Sequence, residues 1–255
     1  MCYKRGMKWI FLSPHLDDIV FSCGGMVWDL AKAGHNIEVW TICAGDPPQG
    51  DLSPFAQELH KNWDLGLNAV QIRREEDQKA CQIIGATPRY FSYQDCIYRK
   101  TSLGEFFYPT EKHIFGGLDP REAGLIERLS DQLRGELPEE TRVVAPLGIG
   151  NHVDHELTRK AVNRLDIPVA FYADYPYARD DQGIEILDFM EASTEWQSEE
   201  FPTSEEGLGN WVQAARAYGS QISTFWNDDE HLGIQISEFS TFLGGFKLWR
   251  AVENH

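Results

Sequence analysis

The segment Lys8–Asp18, which reads KWIFLSPHLDD, decides the fold of this chain. Its apolar run Trp9–Leu12 favours a short buried strand, and Ser13-Pro14 ends that strand. Histidine and aspartate follow at once. Beyond Gly24-Gly25 the apolar residues take a helical spacing. The sequence therefore predicts a strand, a polar loop and a helix in succession.

The same alternation continues along the chain. Further strands are predicted at 36–44, 89–93, 142–147 and 169–175, and helices at 71–84, 121–137, 152–165 and about 204–223. Two shorter extended stretches are expected after residue 175, and a tail that contains Gly-Gly ends the chain. Strands that alternate with helices of this length are typical of βαβ units. We therefore predict a single α/β domain over residues 1–255, with a mostly parallel Rossmann-like sheet and helices on both faces.

Residues 96–120 form an irregular insertion in this pattern. They contain glycine, proline and many aromatic residues, and they lack the periodicity of a helix or strand. Long irregular segments in compact domains usually carry function. We expect this variable insertion to influence which substrate is accepted.

The charge and cysteine content restrict the partners and the compartment. Twenty-three basic against forty acidic residues give a formal charge of −17, which repels nucleic acid and anionic membranes. The run Trp9–Leu12 is too short for a signal peptide or a membrane span. Five cysteines without a CxxC pair favour free thiols in a reducing compartment. We expect a cytoplasmic protein with no nucleic-acid partner and no membrane insertion, and the sequence indicates no oligomeric state.

Two polar clusters each follow a predicted strand. One spans residues 13–18 and reads SPHLDD, and the other spans 148–155 and reads GIGNHVDH. In an open parallel sheet, ligand sites form at the carboxyl ends of the strands. The two clusters are therefore expected to meet in one crevice there.

The side chains of these clusters have the chemistry of a zinc site. Imidazole and carboxylate suit Zn²⁺, although ligand type does not exclude Fe²⁺ or another divalent ion. His15 and Asp18 are three residues apart, so both can face one point. His152 and His155 have the same spacing. Three ligands from His15, Asp18 and one later histidine suit a catalytic site, and the other histidine is left to polarise a carbonyl or protonate a leaving amine.

The remaining acids of the two clusters receive different interpretations. Asp17 is adjacent to Asp18 and must point elsewhere, which is the position that a general base needs. Asn151 has the character of a helix N-cap, with Asp154 at N3. Asp154 is therefore interpreted as a structural residue of the helix cap or as a group behind the metal ligands, rather than as a ligand. Arg99, at the start of the insertion, is a candidate to hold either a substrate oxygen or a surface carboxylate.

Together, the two clusters and Gly24-Gly25 resemble the PIG-L/LmbE family of zinc-dependent N-acetylglucosaminyl deacetylases, whose motifs are usually His-Pro-Asp-Asp-Glu and His-x-Asp-His. The similarity extends over about residues 8–225. It includes a helix with Arg73 and Glu76, Asp95 after the third predicted strand, and a late Ser-Gln pair. Two residues depart from the family pattern, because Leu16 replaces proline and Ile19 replaces glutamate.

The resemblance implies a role for each matching residue. It implies zinc ligation by His15, Asp18 and His155. It makes Asp17 the general base, and it makes His152 the residue that stabilises the oxyanion or assists the leaving amine. Arg73 and Asp95 match positions that contact the sugar.

Three functions compete at this point. The first is a zinc hydrolase that removes the N-acetyl group from an N-acetylglucosamine-type small molecule, an amino sugar or its conjugate. The second is a metal-dependent amidase that acts on a non-acetyl conjugate. The third is a sugar- or nucleotide-binding module without catalysis. The third is disfavoured, because a pure binder has no need of both Asp17 and His152, and because no Gly-x-Gly-x-x-Gly is present.

Overall fold

The sheet is the central feature of the computed structural model, which describes residues 6–66, 68–242 and 246–252. Within these residues seven strands form one sheet in the order β3-β2-β1-β4-β5-β7-β6. The strands are β1 (Lys8–Ser13), β2 (Asn36–Thr41), β3 (Thr87–Tyr90), β4 (Thr141–Pro146), β5 (Val169–Tyr172), β6 (Trp196–Phe201) and β7 (Phe246–Ala251). The first five are parallel, and β7 runs antiparallel to both β5 and β6.

Helices connect the strands. They are α1 (Asp18–Lys32), α2 (Pro54–Asn62), α3 (Ala69–Ile84), α4 (Glu111–Ile114), α5 (Ala123–Glu136), α6 (Val153–Val162), α7 (Asp181–Ala192), α8 (Glu205–Ala215), α9 (Gly219–Phe225) and α10 (Asp229–Phe242). From β1 the chain moves towards β3, and from β4 it moves towards β5 in the opposite direction across the sheet. Because parallel crossovers are right-handed, α1 and α3 lie on one face and α6 lies on the other. The prediction of an α/β domain with a mostly parallel sheet is confirmed.

Strand β1 explains why its sequence is almost entirely apolar. It lies between β2 and β4, and the side chains of Trp9–Leu12 are completely buried. A central parallel strand is covered on both faces, so it shows a continuous apolar run instead of an alternation. The strand order also reverses between β1 and β4, and such a switch point opens a crevice at the carboxyl ends of the two strands. The loops after β1 and β4 therefore border one crevice.

The second half of the chain departs from the prediction. Residues 175–204 were expected to hold two extended stretches, but they contain α7 and a single strand, β6. Apolar residues at 184, 186, 187, 189 and 190 fit both the helical period and the alternation of a strand. Burial of Leu187 and Met190, three residues apart, selects the helix. The helix expected over 204–223 is two helices, α8 and α9. The tail contains α10 and β7, and its Gly244-Gly245 pair lies outside the described residues.

The insertion contains little regular structure. A 3₁₀ turn at Cys96–Tyr98, the one-turn helix α4 and a second 3₁₀ turn at Pro120–Glu122 interrupt it. A small cluster of buried residues lies beneath it, including Cys96, Tyr98 and Tyr108. The insertion is therefore packed onto the domain. In the part of the chain that the structure describes, every helix is too short or too polar to span a bilayer.

Two glycines let α8 approach α1 closely. A Cβ atom on Gly24 would lie 2.4 Å from Trp211 Cδ1, and one on Gly25 would lie 2.7 Å from Thr203 Cγ2. The Trp211 indole is buried there and donates a hydrogen bond to the Val20 carbonyl at 2.5 Å. This contact fixes α1, and α1 begins with Asp18, so the packing also sets the position of a candidate ligand.

Gly24→Ala is expected to lower the free energy of unfolding by about 1–3 kcal/mol, because the added methyl group overpacks against Trp211. Urea unfolding measures the change. Gly209→Ala in α8 is the matched control, since a Cβ there meets no atom within 4 Å and alanine favours a helix. Equal stability of Gly24→Ala and wild type would show that the close approach of the helices is not required.

Candidate metal centre and active site

The two polar clusters lie together at the carboxyl ends of β1 and β4. His15 follows β1, and His152 and His155 lie at the start of α6. The ring of His15 is 4.8 Å from that of His152 and 5.5 Å from that of His155, measured between centroids. Nitrogen atoms of the three histidines lie within 4.8 Å of one another, a spacing that suits a metal ion.

Asp18 joins two of these histidines through its carboxylate. Its Oδ2 lies 3.5 Å from His15 Nδ1, and its Oδ1 lies 3.3 Å from His155 Nε2. The backbone N–H of His15 also donates to Asp18 Oδ2 at 2.6 Å, which fixes the carboxylate within its own turn. Two imidazoles and one carboxylate thus face a common point, and this is a donor set for zinc or a similar divalent ion.

Two further carboxylates orient the histidine rings from behind. Nε2 of His15 donates to Asp154 Oδ2 at 3.0 Å, and Nδ1 of His155 donates to Asp174 Oδ1 at 2.7 Å. The opposite nitrogen of each ring is the one that faces Asp18. Metal-bound histidines usually donate their other nitrogen to an acceptor in this way. The arrangement therefore fits a divalent metal held by His15, Asp18 and His155.

The two adjacent aspartates differ in their electrostatics. Burial raises the pKa of Asp17 to about 6, the charge of Asp18 adds to the effect, and the Arg73 guanidinium opposes it. Burial also opposes ionisation of Asp18, but His155 and His15 hold its pKa well below the usual range. Asp18 is thus suited to bind a cation, whereas Asp17 is a base that titrates near neutral pH.

The histidines also differ. Burial lowers the pKa of His152 well below its usual value, and the nearby His15 adds to the effect. The ring is therefore neutral, and its Nδ1 accepts the backbone N–H of Asp154 at 3.3 Å, which leaves the proton on Nε2. Burial opposes protonation of His155, but Asp18 and Asp174 raise its pKa to about 10. Burial likewise opposes protonation of His15, while Asp154 and Asp18 raise its pKa.

A cavity of about 740 Å³ opens over these groups. Asp17, Arg73 and His152 line it close to the candidate metal centre. Nη2 of Arg73 donates to Asp17 Oδ2 at 3.1 Å, and its guanidinium lies 4.9 Å from the Trp63 ring. Asp95 also lines the cavity, with Oδ2 3.9 Å from His15 Nε2. Apolar side chains from α2, α4 and α9 form much of the remaining wall, namely Phe55, Leu59, Ile114 and Phe225.

Comparison with known sequences identifies the family. The profile described as "PIG-L: GlcNAc-PI de-N-acetylase" matches residues 10–165. The chain belongs to the PIG-L family. This confirms the resemblance drawn from its two motifs.

Sequence relatives and solved structures that are similar to this chain include deacetylases. The chain is 32% identical over 185 residues to 2'-N-acetylparomamine deacetylase of Niallia circulans, with 66% of each chain covered. It is 26% identical over 189 residues to the 2'-N-acetylparomamine deacetylase of Streptomyces fradiae, with 72% of this chain and 62% of the relative covered. Each alignment thus spans slightly less than two thirds of the relative's length. The zinc-inhibited form of teicoplanin deacetylase Orf2 superposes with a TM-score of 0.83 at 27% identity, over 97% of this chain and 98% of that chain.

Asp154 does not cap its helix, so the cap interpretation is wrong, whereas the alternative of a group behind a metal ligand agrees with its contact to His15. The N-cap residue of α6 is His152, and Asn151 lies before it with a φ of 58°. The Asp154 carboxylate instead accepts from Cys96 N at 2.9 Å, from His15 and from Arg99. The Asp154 carboxylate is fully buried, and it orients the ring of His15, a candidate metal ligand.

Arg99 does not line the cavity, which contradicts its assignment as a substrate contact. It is buried, and its guanidinium donates to Glu122, to the Gln94 carbonyl and to Asp154. The alternative of a surface carboxylate is also wrong, because both acidic partners are buried. The protein itself thus occupies the hydrogen-bonding capacity that a substrate would need.

Asp174 is a functional candidate that sequence reasoning missed. The predicted strand at 169–175 included it, whereas β5 ends at Tyr172. Its Oδ2 accepts the backbone N–H groups of Gly148 and Ile149 at 2.8 and 2.9 Å, so it also holds the loop after β4. The available signal was a carboxylate close to the carboxyl end of a strand adjacent to β4.

Ile19 replaces the glutamate usual in the family without removing the orienting carboxylates. Its side chain is buried in the core near the start of α1. The two carboxylates that orient the rings of His15 and His155 come from Asp154 and Asp174. Ring orientation in this chain therefore does not depend on an acid at position 19.

Asp174→Asn is expected to weaken zinc binding by about 10- to 100-fold, because the His155 ring loses a charged acceptor. Competition against a chromogenic chelator measures the dissociation constant. Asp166→Asn is the control, since Asp166 is exposed in the turn after α6. Unchanged zinc affinity in Asp174→Asn would remove Asp174 from the support of the metal centre.

Proposed function

We propose that this chain is a metal-dependent deacetylase that hydrolyses the N-acetyl amide of an amino sugar or its conjugate. One arrangement carries the proposal. A buried carboxylate with a raised pKa, Asp17, lies directly beside a candidate ligand, Asp18, and a neutral His152 lines the same cavity. A binding module needs a metal or a pocket, but it does not need a base and a proton donor in the same cavity. The activities of the PIG-L relatives support this choice.

The residues divide the reaction among them. His15, Asp18 and His155 would hold the metal, and a Zn²⁺ bound there would supply Lewis acidity and lower the pKa of water to about 7. Asp17 accepts a proton from the water that adds to the amide carbonyl carbon. Arg73 contacts Asp17 at 3.1 Å and holds its carboxylate in place.

His152 lines the same cavity and acts on the carbonyl oxygen. Because Nδ1 accepts a backbone N–H, the Nε2–H is available to donate to the oxygen that gains negative charge. When the C–N bond breaks, the proton that Asp17 took from water is delivered to the leaving nitrogen, and acetate and the free amine are released. Asp17 and His152 are the groups that exchange protons with the reacting atoms.

Asp17→Asn is expected to keep the metal and to lower kcat by a factor of about 10² or more, because the amide side chain cannot accept the proton. Metal analysis after gel filtration and acetate release measured on the same sample check both parts. Wild type is expected to carry about one divalent ion per chain. Loss of metal in Asp17→Asn would exchange the roles of Asp17 and Asp18.

The charge of the cavity wall favours substrates with additional amino groups. Arg73 already pairs with Asp17, and five carboxylates line the cavity: Asp17, Asp18, Glu58, Asp95 and Glu111. Glu58 and Glu111 are exposed, and they lie in α2 and α4 rather than in the loops that carry the metal motifs. Opposite charge promotes encounter and orientation of a ligand. We therefore propose a positively charged N-acetylated amino sugar, such as a 2'-N-acetylparomamine-type compound, as the substrate class.

A panel of N-acetylated compounds tests the activity and the substrate class together. We expect 2'-N-acetylparomamine to give a higher kcat/KM than the neutral N-acetylglucosamine, and the difference to shrink as salt is added. Glu58→Gln and Glu111→Gln are expected to raise KM for the charged substrate about two- to fivefold, the range of exposed ion pairs. Glu75→Gln on α3 is the control, because Glu75 is exposed and does not line the cavity.

The outcomes of the panel separate the proposals. Absence of acetate release from every compound, with metal bound, would refute the deacetylase. Release of a longer acyl group in preference to acetate would favour the amidase alternative. Equal kcat/KM for charged and neutral acetamides at low salt would refute the role of Glu58 and Glu111 and leave the deacetylase proposal unaffected.

A further inference from the structure

Arg99 connects the 96–120 insertion to the metal centre through buried contacts. Its Nε and Nη2 donate to the two oxygens of Glu122 at 2.7 and 3.1 Å. One Nη1 hydrogen bond goes to the Gln94 carbonyl at 3.1 Å, and another goes to Asp154 Oδ1. The side chain is only 8% exposed. Four of the five N–H groups of the guanidinium are thus used in one rigid set of contacts.

The neighbours of Arg99 hold this geometry from the insertion side. The hydroxyl group of Tyr108 donates to Glu122 Oε2 at 2.5 Å and accepts from the backbone of Asp119 at 2.9 Å. The guanidinium lies 5.3 Å from the centre of the Tyr108 ring. Tyr108 of the insertion and Glu122, just beyond its end, therefore converge on one cation. A bidentate arginine pair fixes direction as well as charge.

Asp154 transmits this geometry to a candidate ligand. One carboxylate oxygen receives Arg99, and the other accepts from Cys96 N at 2.9 Å and from His15 Nε2 at 3.0 Å. The carboxylate is completely buried, so the direction of its oxygens is set by these donors. The orientation of the His15 ring thus depends on a chain of contacts that begins with Glu122.

We propose that Arg99 is a positioning residue for the metal centre, which sets the His15 ring through Asp154 and thereby makes metal affinity depend on the docked insertion. The proposal rests on the metal site of the proposed function, but not on the substrate or the reaction. It gives the insertion a second task besides shaping the cavity. A residue that acts only on fold stability would lower the melting temperature and leave the metal affinity of the folded protein unchanged.

A matched pair of arginine variants distinguishes these two roles. Arg99→Met retains much of the buried stem and removes the charge, and it leaves Asp154 and Glu122 buried without their cation. Arg142→Met is the control, because Arg142 also pairs with a glutamate, Glu199, and lies 4.6 Å from the Trp9 ring. Arg142 lies near the amino end of β4, whereas the metal centre lies beyond the carboxyl end of the same strand.

Zinc affinity is measured by chelator competition, without substrate, at a temperature at which thermal melts show both variants folded. We expect Arg99→Met to raise the zinc dissociation constant by about 10- to 100-fold, the range for removal of a group that orients a ligand. Arg142→Met is expected to bind zinc like wild type. Arg99→Lys is expected to fall between wild type and Arg99→Met, because lysine keeps the charge but not the fork.

Each result bears on the proposal. A dissociation constant of Arg99→Met within about twofold of that of Arg142→Met would overturn it. If Arg99→Met does not fold, Arg99→Lys decides, and wild-type zinc affinity in that variant overturns the proposal. A rise in KM for substrate with unchanged zinc affinity would return Arg99 to a substrate-binding role. Zinc binding by wild type without acetate release would refute the deacetylase and leave the role of Arg99 standing.

Discussion

The candidate metal centre depends on the adjacency of β1 and β4 in the sheet. These strands are far apart in sequence, yet they pair directly, from Lys8 opposite Thr141 to Phe11 opposite Val144. The chain reverses direction across the sheet between them, so no helix crosses their carboxyl ends. His15 and His155 reach one point only because of this pairing. A one-residue slip would move each side chain of either strand to the opposite face.

The centre places several charges in the core, and it compensates them in pairs. Asp18 lies between His15 and His155. The Asp174 carboxylate accepts hydrogen bonds from the His155 imidazole and from two backbone N–H groups. The Asp154 carboxylate accepts hydrogen bonds from Arg99, from the backbone N–H of Cys96 and from His15. Isolated buried charges are costly, whereas fully hydrogen-bonded ones persist and hold their partners rigidly. Compensation of this kind explains why so many acids cluster at the edge of an apolar sheet.

The sequence indicated the fold and the main clusters more reliably than the supporting groups. The strand Trp9–Leu12 and the polar loop after it are local signals, and so is Gly85, which ends α3 in a left-handed conformation. Asp154 was misinterpreted because its partners, Arg99 and Cys96, lie more than fifty residues away. A cap can be inferred from spacing along a helix, but a long-range ion pair cannot. Helix α7 was missed because its apolar residues fit both a helical period and a strand alternation. Burial against the rest of the domain determines which of the two forms.

The supporting contacts also connect the metal centre to the stability of the whole domain. Its groups come from the ends of β1, β4 and β5 and from the insertion, and the chain brings them together only when it is folded. A metal that binds only this folded arrangement stabilises it, by about 2.7 kcal/mol at a free concentration one hundred times the dissociation constant. The same linkage acts in reverse. Any change that loosens the insertion around Arg99 or the loop held by Asp174 lowers metal affinity, because part of the binding free energy is then used to restore the geometry. Packing at Gly24 and charge at Arg99 therefore affect a common quantity, the population of chains whose ligands already face one point.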